Sequence, residues 1–428
     1  MRIVFINNFH TGQGGAERQM CFVMRGLMQY GVNVALVAPT GSEVAMVARE
    51  LGVSVVETDF AKPRARTTMH VISELAAGGA AGGNMPAVPV ADFVVGTGHW
   101  TNILVGMASL PAGVQRIALH QSMPDAADTA AERFARSVMA RATMRRIDGH
   151  IAVSQAVKSA LVKQGFPSEK IEVIYNGAEL PPECNTLPDQ NGKISPLRVR
   201  SGRNDKGVAE LPPECNVQPE QSGKASPLAS LGRNDRGGAE LPLGIAGAEG
   251  PIIGFLGRIE KVKGPDTFLR MMKKVQESLP YAQGRLAGQG SMMDELLRLK
   301  GDLNLGASTQ ILGRQDAFEF LAGIDILVIP SRAEAFCIAA VEAQRAGKAI
   351  VAFDVGGIRE ALLNDKTTRL VPAGDIDALA AAVVEVAGKL PGMRAELGTA
   401  AEHALLRFTP DQTAESYHQY FLERQLQH

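Results

Sequence analysis

Two carboxylates, Glu334 and Glu342, carry the strongest chemical signal, with seven residues between them in Glu334-Ala-Phe-Cys-Ile-Ala-Ala-Val-Glu342. The first follows the apolar run Ile326–Pro330. It falls in a loop at a strand's carboxyl end, where open α/β sheets bind ligands. The second falls in the first turn or two of the next helix. Together they can bridge two hydroxyl-bearing parts of one ligand. The same pair also suits two solvated acids favoured by a helix dipole.

Upstream, Gly257-Arg258 follows a strand, and Lys263-Gly264 comes five residues later. A glycine turn with two cations opening a helix suits a diphosphate: the backbone approaches closely and the charges neutralise phosphate. An ordinary strand-to-helix turn with surface cations is the plainer alternative. Gly288-Gln289-Gly290 and Gly313-Arg314 close two further strands at the same edge, and Asp354-Val-Gly-Gly357-Ile-Arg-Glu360 adds a glycine turn before a helix. Near the start, Gly12-Gln-Gly14-Gly15-Ala-Glu17-Arg18 does not satisfy GxGxxG. No acid sits convincingly after the second strand, so a nicotinamide dehydrogenase is disfavoured. These glycines suit a loop that comes close to a phosphate or a sugar.

Strands alternating with helices must position these residues. Arg2–Asn7 reads as a buried strand. Glu17–Tyr30 has helical spacing, and strands are expected at Asn33–Ala38, Val53–Val56, Phe93–Val95, Arg116–Leu119 and His150–Val153. That alternation predicts a parallel sheet covered on both faces. Ala77–Val90 reads as a loop. A second alternating block opens at Pro251. Strands are expected at Ile252–Leu256, Gln283–Ala287, Gln310–Leu312, Ile326–Ile329 and Ala349–Phe353. Helices are expected at Asp266–Ser278, Ala340–Ala346, Ile376–Gly388 and Asp411–Gln425.

Between the blocks, AELPPECN occurs at Ala178–Asn185 and again at Ala209–Asn216, and AELP recurs at Ala239–Pro242. This is a tandem duplication with a period of about 30 residues, and two copies are too few for a solenoid. No aromatic falls between Tyr175 and Phe255, so the stretch cannot bury enough apolar surface to offset its ordering entropy. Ala178–Gly238 is expected to be a disordered insertion in an interdomain linker.

Composition agrees with two α/β domains. The 428 residues are 45% hydrophobic and 21% charged, which excludes wholesale disorder. A net charge of −1 argues against a nucleic-acid partner. Four scattered cysteines form no CxxC pair, so neither a disulfide scaffold nor a structural zinc is expected, and a reduced cytoplasmic setting is the simplest. No apolar run reaches the roughly 18–20 residues of a membrane span, and MRIVFINNFH lacks the features of a signal peptide.

The motif order resembles one family. GGAER near the start, His120 after a middle strand, Ala152–Ser154, Tyr175–Gly177, GR…KG, GxG, Pro330-Ser331, Ex7E and GG..E are similar to the retaining glycosyltransferases of family GT4. The resemblance covers the chain except the insertion. It implies the GT-B fold: α/β, two Rossmann-like domains facing across a cleft. The expected units are residues 1–177 on the acceptor side, the linker 178–249, a nucleotide-sugar domain at 250–408, and a C-terminal helix at 409–428 packing back on the first domain.

By the resemblance, Arg258 and Lys263 grip the donor diphosphate, Glu334 holds the transferred sugar and Glu342 holds the ribose. Backbone around Phe336, Cys337 and Ile338 touches sugar or phosphate. Gly14 and Gly15 close over the diphosphate, and His120 lies near the sugar. Gly288, Gly313 and Arg314 complete the donor site. The family often has glycine at the places of Ala335 and Cys337, so this loop is expected to be less open. No metal or other cofactor is expected, and the donor is a nucleotide-sugar, with UDP favoured.

The acceptor is poorly encoded. A basic, apolar-striped stretch carrying Arg133, Arg136, Arg141 and Arg145 suits an anionic membrane or a phosphorylated acceptor. A core-packing helix with a solvated basic face fits equally. The resemblance favours a bacterial lipopolysaccharide or lipooligosaccharide core as acceptor, reached at the cytoplasmic face of the inner membrane. A nucleotide-sugar 2-epimerase of the same fold and a non-catalytic glycan-binding protein remain the other readings.

Overall fold

The computed structural model describes residues 1–10, 14–60, 65–78, 89–124, 145–178, 250–363 and 366–427. The duplicated stretch beyond Ala178, most of the Gly/Ala-rich loop, and Arg133, Arg136 and Arg141 lie outside these residues.

Two parallel sheets organise the chain. The first contains β1 (Arg2–Ile6), β2 (Asn33–Pro39), β3 (Ser54–Thr58), β4 (Phe93–Gly96), β5 (Gln115–His120), β6 (Gly149–Ala152) and β7 (Ile171–Val173). Its helices are α1 (Gly15–Gln29), α2 (Glu43–Glu50), α3 (Ala65–Ala76), α4 (His99–Met107) and α5 (Gln155–Lys163). The second contains β8 (Ile252–Leu256), β9 (Gln283–Ala287), β10 (Thr309–Ile311), β11 (Ile326–Ile329), β12 (Ala349–Phe353) and β13 (Thr368–Val371). With it go α6 (Pro265–Ser278), α7 (Met293–Asp302), α8 (Ala317–Ala322), α9 (Ile338–Arg345), α10 (Ile358–Ala361), α11 (Ile376–Lys389) and α12 (Arg394–Leu405). The last helix, α13 (Pro410–Leu426), lies against α1 in the first domain.

The strand orders are β3-β2-β1-β4-β5-β6-β7 and β10-β9-β8-β11-β12-β13. Each reverses beside its first strand, and such a turning point opens a ligand crevice at the strands' carboxyl ends. Central strands are apolar on both faces because helices cover both. Ile3 and Phe5 join one core while Val4 and Ile6 join another. Leu327 and Ile329 likewise part from Ile326 and Val328. In α1, Met20, Val23, Met24 and Leu27 are buried at the spacing of one helix face.

Sequence periodicity missed several elements. Helices α2 and α5 are short and start at Ser42 and Ser154, whose hydroxyls accept from the third amide onward. Their apolar stripes are too brief to register. The strand expected at Gln310–Leu312 is shifted back by one residue: Thr309 is fully buried and Leu312 is 37% exposed. A small Thr fits there because it faces Gly284 on β9.

Among the described residues the chain passes between domains once, from α12 to α13, and this crossing meets Ala178, the last described residue of the first domain before the linker, at Arg345. This side chain, at the end of α9, is wholly buried. Its Nε donates to the Ala404 carbonyl at 3.0 Å, and Nη2 donates to the carbonyls of Arg407 at 2.8 Å and Phe408 at 3.1 Å. Nη1 donates to the carbonyl of Ala178, the last described residue before the linker. The Ala178 amide in turn donates to the Phe408 carbonyl at 2.8 Å. Tyr175, Phe336 and Phe408 pack around this point with ring centroids 4.9–5.6 Å apart. Arg345→Leu would orphan several buried carbonyls and should cost about 3 kcal/mol or more. Chemical denaturation should show this as an earlier transition, and an unshifted one would refute the role.

Candidate functional site

Both turning points face one cleft of about 2510 Å³. The first sheet contributes Asn8 and Phe9 after β1 and Thr97 to Trp100 after β4. The second contributes Gly257 and Arg258 after β8 and Pro330, Ser331, Ala333 and Glu334 after β11. Its centre is an ion pair. Lys263 Nζ donates to Glu334 Oε1 at 2.8 Å and to Oε2 at 2.9 Å. Ser331 Oγ donates to the same Oε1 at 2.7 Å. Glu334 is only 5% exposed, so these donors replace the water it gives up. Burial works against the Lys263 charge, but the Glu334 carboxylate outweighs it and holds the ammonium above its ordinary range.

Backbone geometry brings the two together. Gly264 has φ +69°, and a Cβ there would collide with the Pro330 carbonyl. That contact between the β8 and β11 loops sets Lys263 beside Glu334. On the other side of Glu334, Gly356 (φ +51°) lies against the Glu334 carbonyl, which accepts from the Gly357 amide at 2.9 Å. Cys337, at the start of α9, has φ +71°, a left-handed conformation unusual for a residue with a side chain. The turn there needs what a glycine gives freely. Burial and the nearby Glu334 push the Cys337 thiol well above its ordinary value, so it stays a neutral SH.

A second pair spans the cleft. Arg18 Nη2, in the first turn of α1, donates to Glu342 Oε1 at 3.0 Å, and Glu342 is 2% exposed. At another point Arg314 Nη2 approaches Glu43 Oε1 at 3.6 Å. A Cβ on Gly15 would lie 3.3 Å from Ile338, so the first-domain loop touches the start of α9. Glu360 joins the domains elsewhere: its carboxylate accepts from the amides of Gln155 at 2.7 Å and Ala156 at 2.8 Å, capping α5, and from Tyr175 Oη at 3.1 Å.

Of the residues singled out in the sequence, Gly14, Gly15, His120, Arg258, Lys263, Gly288, Arg314, Glu334, Phe336, Cys337, Ile338 and Glu342 line this cleft. Arg258 is exposed there; against burial, the Ser291 amide and hydroxyl, and after them the Arg258 charge, hold Glu260 below the ordinary carboxylate range. Gly313 is behind the lining: its carbonyl accepts from the Gly288 amide at 2.7 Å. Arg145 is exposed and outside the cleft lining. Sequence reasoning gave no role to Arg18, Ser331, His150 or Tyr175. Ser331 and Arg18 sat inside recognised motifs, but only the folded contacts single them out. His150 had no signal at all. Among the described residues no three His, Cys, Asp or Glu gather as a metal site, and no helix is long and apolar enough to cross a membrane.

His120 ends β5, and its Nε2 lies 3.1 Å from Nδ1 of the buried His150. Burial, then the His150 and His99 rings, hold His120 well below its usual value. Burial, then Lys170 and Arg424, lower His150 to about 4.

Two consequences can be measured. Lys263→Met leaves the buried Glu334 without its cation and should cost about 3 kcal/mol, with Lys263→Met/Glu334→Gln recovering much of the loss. Equal stability of the two variants in denaturation would contradict a coupled pair. Above about pH 6.5, His150 is neutral in folded and unfolded chains alike. Below that the unfolded chain gains a proton that the folded one refuses. Stability should therefore fall by about 3 kcal/mol between about pH 6.5 and pH 4 on account of this ring. His150→Asn should flatten that part of the profile.

Comparison with known proteins follows the same division. Residues 13–180 match the family described as Glycosyltransferase Family 4, and residues 246–404 match Glycosyl transferases group 1. The chain is similar to the D-inositol 3-phosphate glycosyltransferase of Mycobacterium ulcerans, 33% identical over 162 residues, which is 36% of this chain. The match spans about a third, 35%, of that relative's length. Among solved structures it superposes on Anabaena Alr3699/HepE in complex with UDP and glucose, with a TM-score of 0.69 at 16% identity, covering 99% of this chain and 100% of the other. It also superposes on the lipopolysaccharide outer core galactosyltransferase WaaB, with a TM-score of 0.63 at 13% identity, covering 99% and 100%.

Proposed function

We infer that this chain, which carries the paired domains of the Family 4 and group 1 glycosyltransferases, transfers a sugar from a nucleotide-sugar donor to a glycan acceptor. The observation that carries the reading is the Lys263–Glu334 pair at 2.8 Å, set at the second sheet's turning point in a cleft shared with Gly14, Gly15 and Arg18. Lys263 and Arg258 would meet the donor diphosphate. Glu334 would hold hydroxyls of the transferred sugar, and Glu342 would hold those of the ribose. A UDP-sugar is the favoured donor, and the UDP and UDP-glucose held in the HepE structures support that choice.

Carboxylate oxygens offer about four acceptor sites, and Glu334 has filled three. One position remains for a sugar hydroxyl, in a fixed direction. As the sugar leaves, charge grows on the diphosphate. Arg258, Lys263 and the amides opening α9 would meet that charge. In this reading the acceptor hydroxyl attacks on the face the diphosphate leaves, and a phosphate oxygen takes its proton, so configuration is retained without a metal ion. Closure of the cleft would exclude water that would otherwise hydrolyse the donor.

A lipopolysaccharide or lipooligosaccharide core, met at the cytoplasmic face of the inner membrane, is the first acceptor to try, on the strength of the motif resemblance. The name of the Mycobacterium ulcerans relative brings an inositol phosphate in as the second.

A panel of UDP-, GDP- and ADP-sugars, read by thermal shift and by turnover of the full chain, tests the reading. One UDP-sugar should raise the melting temperature and be slowly hydrolysed, and Glu334→Gln should cut turnover by about a hundredfold or more. Release of an epimerised donor without acceptor would instead mark an epimerase, and binding without turnover a non-catalytic binder. Silence across the panel would overturn the donor-site assignment.

A further inference from the structure

His120 and His150 stand on neighbouring strands whose register pairs Ala118 with His150 and His120 with Ala152. Alternation along a strand therefore puts both imidazoles on the same face of the sheet. The Nε2 of His120 is 3.1 Å from Nδ1 of His150. Phe166 closes edge-on against both rings, with centroids 6.0 Å and 5.0 Å away. His150 is 1% exposed, and its Nε2 has no hydrogen-bond partner. His120 lines the cleft.

A hydrogen bond between two imidazoles needs one N–H and one lone pair. Both rings are neutral near neutral pH, held below their usual value first by burial and then by the neighbouring groups already given. A neutral imidazole carries a single N–H. Suppose the shared proton sat on His120 Nε2. His150 would accept at Nδ1 and would carry its own proton on Nε2, a buried N–H with no acceptor. Orphaned buried donors are rare and costly, while an unused lone pair is better tolerated. The opposite arrangement leaves only a lone pair unmatched at His150 Nε2.

We propose that His150 is a positioning residue: it donates from Nδ1 to Nε2 of His120 and fixes His120 in the tautomer whose free polar group is Nδ1–H. His120 then offers the cleft a donor and not a base. It can hydrogen-bond to an oxygen of the sugar or the acceptor, and it cannot take the proton of the attacking hydroxyl. The catalytic consequence rests on the transferase reading above. The tautomer does not.

Long-range proton–nitrogen spectra of the full chain labelled with [¹⁵N]histidine test the tautomer directly, with His120→Asn and His150→Asn assigning the signals. Both rings should show a pyrrole-type Nδ1 and a pyridine-type Nε2. A pyrrole-type Nε2 on His120 would overturn the proposal. In turnover, His150→Leu should lower kcat about tenfold and leave the donor KM within about twofold. The amide nitrogen of His150→Asn sits near the place of Nδ1 and should restore most of the loss. An unchanged kcat in the leucine variant would refute the positioning role. If no donor is turned over, the transferase reading fails, and the spectra of the unsubstituted chain still decide the tautomer.

Discussion

The fold depends on a single buried guanidinium. Arg345 has no exposure, yet it gathers the carbonyls of Ala178, the last described residue before the linker, of Ala404 in α12, and of Arg407 and Phe408 on the crossing to α13. A planar, permanently charged group with five donors can satisfy several carbonyls at once, which no apolar side chain of that size can do. The arrangement is linked to the site by covalent sequence. Arg345 ends the helix that Cys337 opens and that carries Glu342. Phe336, one residue before, packs on Tyr175 and Phe408 at the same crossing. Whatever orients the two domains therefore orients the loop that holds Glu334.

Within the cleft, Glu334 and Glu342 each already have a cation of the chain. Glu334 has Lys263 from its own domain, and Glu342 has Arg18 from the opposite one. Buried carboxylates without partners would shift towards the neutral acid and lose their use as acceptors. Pairing satisfies them at the cost of occupying some of their lone pairs. The two pairs differ in kind. The first is local and would persist through any domain movement, whereas the second exists only while the domains face each other closely.

Much of this was legible in the sequence where physics is local. The apolar strands announced two parallel sheets, and Glu334, Glu342, Arg258 and Lys263 were found from spacing and residue type. Glycine positions marked the turns, and Gly264 and Gly356 do approach neighbouring backbone too closely for any side chain. Contacts made over long separations were not legible. Nothing in the sequence near His150 tells that it will meet His120 across a sheet register, or that Glu360 will cap a helix 205 residues earlier. Cys337 is a case between the two. The resemblance suggested a glycine at its place, and its left-handed backbone is a conformation that glycine takes without strain.

The contacts between domains are not spread evenly over the cleft. Tyr175, Glu360 and Arg345 cluster where the sheets end in β6, β7, β12 and β13, while Arg314 and Glu43 meet near β10 and β3, the opposite edges. The crossing to α13, tied to Ala178 through Arg345, makes the first edge a pivot. Displacement in a rotation grows with distance from the pivot, so a small swing that barely disturbs Tyr175 would carry Arg314 well clear of Glu43. That outer pair, at 3.6 Å and half in solvent, is weak enough to part with little cost. The cleft is thus built like a jaw, stiff at the joint and lightly latched at the lip, and a ligand would enter from the latched side.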